Sequence, residues 1–220
     1  MPLVAHNELP TFSKLRNDGL LVLSPSAAHK QDIRELHIGL LNMMPDAALE
    51  ATERQFLRLV GESNPIAQFF VHPFTLDALP REAAARKHID QYYESFDEIK
   101  QQGLDALIIT GANVIGADLS EEVFWEPLIE VADWAHRQVT STLCSCLTTH
   151  AVKDFRYGQR REKQRRKKWG VFRHQVVDST HPLVVDINSE FDVPHSRWNS
   201  VHPEQFEAEG LKILATGDDG

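Results

Sequence analysis

Residues 138–150 read Gln-Val-Thr-Ser-Thr-Leu-Cys-Ser-Cys-Leu-Thr-Thr-His and contain both cysteines of the chain, Cys144 and Cys146. The β-branched opening suits a strand, and residues 150–155 suit a helix. A cysteine at such a strand-to-helix corner is held in a tight turn with its sulfur exposed. The free N–H groups and dipole of the helix N-terminus then favour a thiolate. This is the logic of a nucleophile elbow with sulfur in place of oxygen. Cys146 sits at the corner and is the expected nucleophile, while Cys144 still lies in the strand. The pattern alone also fits two structural thiols buried at a strand end. Cys-X-Cys without a second Cys/His pair at ligand spacing is no zinc signature, so no metal site is expected.

The elements that must position this corner follow from hydrophobic patterning. Short apolar runs at residues 20–23, 36–42, 66–71 and 104–112 read as strands, the last running into a glycine turn. Helical spacing runs over residues 47–60 through Leu49, Phe56, Leu57 and Val60, with Gly61 the expected stop. Further helices are expected within 81–102 and over 120–137, the latter with Val123, Leu128, Val131 and Trp134 on its apolar side. Alternating strands and helices with nearly continuous apolar strands imply an α/β fold, a parallel sheet covered on both faces. Ligands in such sheets bind beyond the carboxyl ends of the strands. Asn42, Gly111 and Cys146 all fall at such ends. Beyond the elbow, residues 159–168 form one strongly basic run, read as a solvated loop or as a patch for an anionic ligand. Residues 169–177 and 191–198 alternate as strands should, and residues 211–216 suggest one more.

The totals narrow the class. The 220 residues suffice for one domain with a substantial core, expected as an extension over 1–35 packed on a single α/β domain over 36–220. A formal net charge of −9 argues against a nucleic-acid partner. No signal-peptide pattern or membrane-length apolar run occurs, and the cysteines cannot form a disulfide framework, so a cytoplasmic protein without a membrane partner is expected.

Five blocks then occur in order and at matching spacing: Leu40-Leu41-Asn42-Met43-Met44-Pro45, Leu107-Ile108-Ile109-Thr110-Gly111-Ala112, Thr140-Ser141-Thr142-Leu143, Trp169-Gly170-Val171-Phe172 and Pro194-His195-Ser196-Arg197. In these the chain resembles the homoserine O-succinyltransferase family, from about residue 36 onward. The resemblance implies a class I glutamine-amidotransferase-like (flavodoxin-like) fold and an acyltransferase of methionine biosynthesis. Cys146 matches the family's nucleophile, which would take an acyl group from acyl-CoA, succinyl-CoA or acetyl-CoA, and pass it to the hydroxyl of homoserine. Lys167 and Ser196 fall at the family's substrate-binding lysine and serine. Acyl-CoA enters as a co-substrate, no resident cofactor is expected, and the resemblance implies a homodimer. At an elbow the backbone N–H of Leu147 is the natural oxyanion donor, with a second from the Asn42–Pro45 or the Gly111–Ala112 loop.

The chain departs from the family in places. Asp46-Ala47-Ala48 stands where a lysine often follows Met-Pro, and Leu147-Thr148-Thr149-His150 replaces the usual Trp-Gly-Ala-Gln. Ile115 occupies a position tied to acyl-donor choice, lacks a charge that would repel a succinyl carboxylate, and so favours succinyl-CoA. His202-Pro203-Glu204 imitates the family's catalytic His-Pro-Glu block but lies too soon after Ser196, so that block is expected beyond Gly220 and the domain is expected to be incomplete. The competing readings are a cysteine amidohydrolase or glutaminase of the same fold, and a binding domain without catalysis. The non-glycine neighbours Ser145 and Leu147 weigh against the first.

Overall fold

A parallel sheet carries the elbow and fixes its surroundings. The computed structural model describes residues 2–64, 66–114, 116 and 118–217. It divides into two compact units, Met1–Val152 and Lys153–Gly220. The domain drawn over 36–220 thus has parts in both. The physical basis is that the later strands pair among themselves, antiparallel, in a separate sheet.

In the first unit, β1 (Leu3–Val4), β2 (Val22–Leu23), β3 (Glu35–Leu41), β4 (Gln68–Phe74), β5 (Ala106–Ile109) and β6 (Ser141–Cys144) form one sheet in the order β2-β1-β4-β3-β5-β6. All its pairings are parallel. Counting from β3, the central strands run 2-1-3-4, the flavodoxin-like order, whose direction of winding reverses between β3 and β5. Residues before 35 are more than a covering extension, because β1 and β2 prolong this sheet past β4. Every residue of β4 is buried, as expected for a central parallel strand.

Helix α1 (Pro10–Asn17) packs beside α3 (Asp46–Ser63), with the short α2 (Pro25–Ala28) between β2 and β3. Leu49, Glu53, Leu57, Val60 and Gly61 are the buried residues of α3. Gly61 therefore does not stop the helix: it lies within it, where a Cβ would stand 3.0 Å from Leu3 Cγ, so the glycine serves close approach to β1. The 81–102 stretch is two helices, α4 (Ala83–Tyr92) and α5 (Phe96–Gln102). A capping box between Ser95 and Glu98 starts the second. Between them Glu94 bridges to Phe74 beside β4. Helix α6 (Trp125–Gln138) begins five residues later than the expected start at Ser120, after a 3-10 turn at Leu119–Glu121, and leaves Val123 exposed.

Helix α7 (Leu147–Tyr157) follows β6 and carries the chain into the second unit. There β7 (Glu162–Val176), β8 (Glu190–Ser200) and β9 (Ala215–Gly217) form an antiparallel sheet in the order β8-β7-β9, with α8 (Pro203–Glu207) between β8 and β9. The basic run, expected as a solvated loop, is largely the first half of β7. Lys163, Arg165, Arg166 and Lys167 are exposed, so these long cationic side chains face water, while the backbone pairs with β8 at Glu162, Lys163 and Lys168 across a register shift.

Candidate active site

The carboxyl ends of four strands line up in one row, because Leu41 pairs with both Phe74 and Ile109, and Ile109 with Cys144. The next residues on three of these strands are Asn42, Thr110 and Ser145, and the loops at Asn42, Gly111 and Cys146 meet at this edge. The convergence expected from the strand ends is therefore present.

Cys146 lies between β6 and α7 with φ 57°, and is the only non-glycine residue among those described with positive φ. A β-carbon in that left-handed conformation crowds the following carbonyl, at about 1–2 kcal/mol. Local hydrogen bonds hold it there. Ser145 N–H donates to Ile109 O at 2.9 Å, and Thr149 N–H to Cys146 O at 3.2 Å. Thr149 Oγ1 donates to Cys144 O at 3.0 Å, and the buried Thr148 Oγ1 to Thr110 O at 2.6 Å. The Thr148-Thr149 departure is thus a pair of hydroxyl ties from α7 to the ends of β5 and β6. Neither cysteine is in a disulfide; Cys146 is exposed and Cys144 is half-buried against the core. The alternative of two buried thiols does not describe Cys146.

Gly111 abuts the cysteine. A Cβ at Gly111 would stand 3.2 Å from Cys146 Cβ, 3.4 Å from Sγ and 3.5 Å from Leu147 N. Leu147 opens α7, where the first amides have no carbonyl of their own helix to bond. The neighbouring Asn42–Pro45 loop has its amides committed elsewhere. Asn42 N–H donates to Phe74 O at 2.9 Å, Met43 N–H to Thr110 Oγ1 at 2.8 Å and Met44 N–H to Asn42 Oδ1 at 3.3 Å, while Pro45 has no N–H.

That loop is anchored by a buried polar network that patterning missed. Asn42, fully buried, donates through Nδ2 to Leu49 O and to Tyr93 Oη, each at 3.0 Å. Tyr93 Oη donates in turn to Glu53 Oε2 at 3.1 Å. Glu53 also meets His88 Nε2 at 3.0 Å and the Thr11 hydroxyl. Burial, and next the Glu53 carboxylate, push the Tyr93 hydroxyl well above its ordinary value, so it stays a donor. The only trace in the sequence is a glutamate on the apolar stripe of α3. On the other side of the loop, Arg81 bonds Met44 O, Asn42 O and the Asp46 carboxylate. Asp46, where the family often has a lysine, is thus part of a loop clamp.

Ile115 lies outside the described residues. Beside it, Gly116 N–H donates to Glu122 Oε1 at 2.7 Å.

In the second unit, Trp169 pairs across the strands with Ser196, and Lys168 with Arg197. Ser196, Lys167 and Trp169 are all exposed, and Lys167 Nζ stands 4.8 Å over the Trp169 ring. Strand alternation places His195 and Arg197 on the half-buried face instead, where His195 contacts the rings of Phe172 and His174. His202 Nε2 lies 3.1 Å from Glu162 Oε2, and the His202 backbone N–H donates to Gln205 Oε1 at 3.1 Å, capping the start of α8.

A family model for homoserine O-succinyltransferase matches residues 2–220. The chain belongs to the homoserine O-succinyltransferase family. It is 67% identical over 219 residues to the homoserine O-succinyltransferase of Thiobacillus denitrificans, covering 100% of this chain and 63% of that protein. With the enzyme of that name from Allochromatium vinosum it shares 64% over 219 residues, covering 100% and 61%. The chain thus spans somewhat less than two thirds of the length of the curated relatives it matches. Among solved structures, a Thermoplasma acidophilum protein assigned as a GMP synthase subunit has TM-score 0.51 to this chain at 16% identity, covering 83% of this chain and 73% of that one. This likeness shows the expected glutamine-amidotransferase-like fold. No helix among the described residues is long and apolar enough to cross a membrane.

Proposed function

We propose that this member of the homoserine O-succinyltransferase family transfers an acyl group from acyl-CoA, succinyl-CoA in preference to acetyl-CoA, to the hydroxyl of L-homoserine in methionine biosynthesis. The observation that carries the reading is Cys146, exposed and held at φ 57° with Gly111 against its sulfur, in a chain of this family.

Cys146 Sγ attacks the thioester carbonyl of acyl-CoA, a tetrahedral oxyanion forms, and the C–S bond to CoA breaks. The products are an acyl-Cys146 thioester and the CoA thiol. The oxyanion is bound by the backbone N–H of Leu147 and by an N–H of the Gly111–Ala112 loop. The full commitment of the Asn42–Pro45 amides supports that choice of loop. In the second half-reaction a base takes the homoserine hydroxyl proton, the oxygen attacks the acyl-enzyme carbonyl, and Cys146 leaves as thiolate. Lys167 and Ser196 bind the substrate, their cationic and hydroxyl groups suiting a carboxylate. His202 serves as the cap of α8 rather than as the base. No resident cofactor takes part, and the working enzyme is a cytoplasmic homodimer.

Intact-protein mass spectrometry after mixing with succinyl-CoA, and separately with acetyl-CoA, tests the reading. A succinyl adduct mapping to Cys146, and discharged by homoserine in the full-length enzyme, is expected. An adduct elsewhere, or none with either donor, overturns it.

A further inference from the structure

Away from the elbow, three histidines and a glutamate crowd one side of the parallel sheet. His72 on β4, His6 just after β1, and Glu94 between α4 and α5 bring three ligand atoms within 4.8 Å of one another. His72 Nδ1 lies 2.6 Å from Glu94 Oε1, and His6 Nε2 lies 3.8 Å from the same oxygen. The His6 and His72 ring centroids are 4.7 Å apart.

The outward-facing atoms of these groups are each already held. His6 Nδ1 bonds Val4 O at 3.3 Å, a contact only a protonated Nδ1 can make, which in the neutral ring leaves a lone pair on Nε2. That Nε2 is buried with no hydrogen-bond partner among the described residues. His72 Nε2 bonds His37 Nδ1 at 2.9 Å, and Glu94 Oε2 accepts from Gln102 Nε2 at 2.8 Å. The remaining atoms, His6 Nε2, His72 Nδ1 and Glu94 Oε1, therefore converge, the last two already in contact at 2.6 Å and the first without a hydrogen-bond partner among the described residues. Gln102 Nε2 also lies 3.1 Å from His72 Nδ1, so an amide donor and a carboxylate acceptor compete for one ring nitrogen. A cation at the centre would give His6 Nε2 a partner and take the place of the His72–Glu94 contact.

We propose that His6 Nε2, His72 Nδ1 and Glu94 Oε1 form a binding site for a divalent transition cation of the zinc class. Two imidazoles and a carboxylate are a ligand set that zinc accepts, with water completing four-coordination. The supporting contacts match the pattern of metal-binding histidines, whose second nitrogen is fixed by a backbone carbonyl or a neighbouring side chain. Ligand atoms about 2.0–2.2 Å from a common ion stand a little over 3 Å apart. Reaching that geometry needs the His72–Glu94 contact to open, and the His6–Glu94 gap and the His6–His72 separation, which lies within 4.8 Å, to close. Glu94 is rigidly placed for this, since its N–H donates to Pro73 O at 2.9 Å beside β4. The ion would fasten the turn after β1 to β4 and to the α4–α5 corner. This site does not depend on the acyl-transfer reading.

The test uses the chain with Cys144→Ser and Cys146→Ser, so that thiols cannot bind the metal. Zinc titration by calorimetry should show one saturable site. His6→Gln and Glu94→Gln should each weaken it at least tenfold, and His37→Phe by about 10–100-fold as a supporting partner. Absence of saturable binding, or binding unchanged in all three variants, overturns the proposal. X-ray absorption on the zinc-loaded parent keeps the question decidable if a variant fails to fold. Two imidazole nitrogens and a carboxylate oxygen in the first shell support the site, and any other protein ligand set overturns it.

Discussion

Gly111 faces Cys146 in the direction in which a side chain would grow: a Cβ on the glycine would meet Cys146 Cβ at 3.2 Å and Sγ at 3.4 Å. The space in front of the sulfur is therefore kept open by the absence of a methyl group. Gly111 does not have a positive φ, so its backbone tolerates alanine. Gly111→Ala should fold normally yet displace the sulfur by a few tenths of an ångström and crowd the oxyanion position. Since misplacement by about 1 Å costs on the order of a hundredfold, acylation should slow by about tenfold or more. An unchanged rate of adduct formation, with an unchanged melting temperature, would show that Gly111 has no part in the site.

Cys146 and Cys144 should separate cleanly. Cys146→Ser should abolish the acyl adduct, while Cys144→Ser, whose thiol faces the core cluster from the end of β6, should retain most of it. Equal loss in both would undo the elbow assignment. The strained conformation gives a second readout. Cys146→Gly removes the β-carbon that is disfavoured at φ 57°, so it should be more stable than Cys146→Ala by about 1 kcal/mol in urea unfolding.

Tyr93 links the loop after β3 to the buried Glu53. Tyr93→Phe keeps the ring but leaves Glu53 Oε2 without that donor and Asn42 Nδ2 without that acceptor. A loss of about 1–3 kcal/mol is expected from the stranded partners. Equilibrium unfolding measures it, and a neutral result would mean that water replaces the hydroxyl at no cost.

The parts of this site that could be read in the sequence are those governed by local rules. The strand ends at Leu41, Ile109 and Cys144 follow from apolar runs, and the corner at Cys146 from a β-branched run meeting a helical one. What escaped depends on partners distant in sequence. Gly61 resembles a helix stop until Leu3 is seen against it. Glu53 reads as a polar residue on an apolar stripe until Thr11, His88 and Tyr93 surround it. The basic run reads as a loop because its charges conceal the pairing of Glu162 and Lys163 with Ser200 and Asn199. Which loop could complete an oxyanion hole depends on where each amide of residues 42–45 donates, and no local pattern carries that.

On the sheet face of the second unit, Lys167 and Ser196 share an exposed side with Trp169. Lys167→Ala should raise KM for the amino-acid substrate about tenfold or more while altering the rate of Cys146 acylation little, because the lysine is read as a substrate ligand. His202→Ala should leave both unchanged, since the backbone N–H that caps α8 is kept and only the side-chain contact with Glu162 is lost. An unchanged KM would return Lys167 to the role of a solvated strand residue, and loss of turnover in the histidine variant would make His202 the base.

Asp46 supplies a prediction in pH. Its carboxylate accepts Glu82 N–H at 2.8 Å and Arg81 Nη1 at 3.1 Å. The Glu82 N–H bond, followed by the Arg81 bond and charge, outweighs burial and holds the carboxyl below its ordinary 3.8. A carboxyl whose folded pKa lies below its unfolded value binds its proton more weakly in the folded state. Its stabilising contribution is therefore complete above pH 3.8 and is lost as pH falls through and below that value. Asp46→Asn should lower the urea midpoint at pH 7 by loosening Arg81 and the Met44 loop. The gap between variant and parent should narrow as pH falls below about 3.8, where the parent's carboxyl also becomes neutral. Unfolding curves at pH 7, 5 and about 3 make the comparison. A gap that persists undiminished at the acid end would show that Asp46 acts through packing rather than through its charge on the Arg81 clamp.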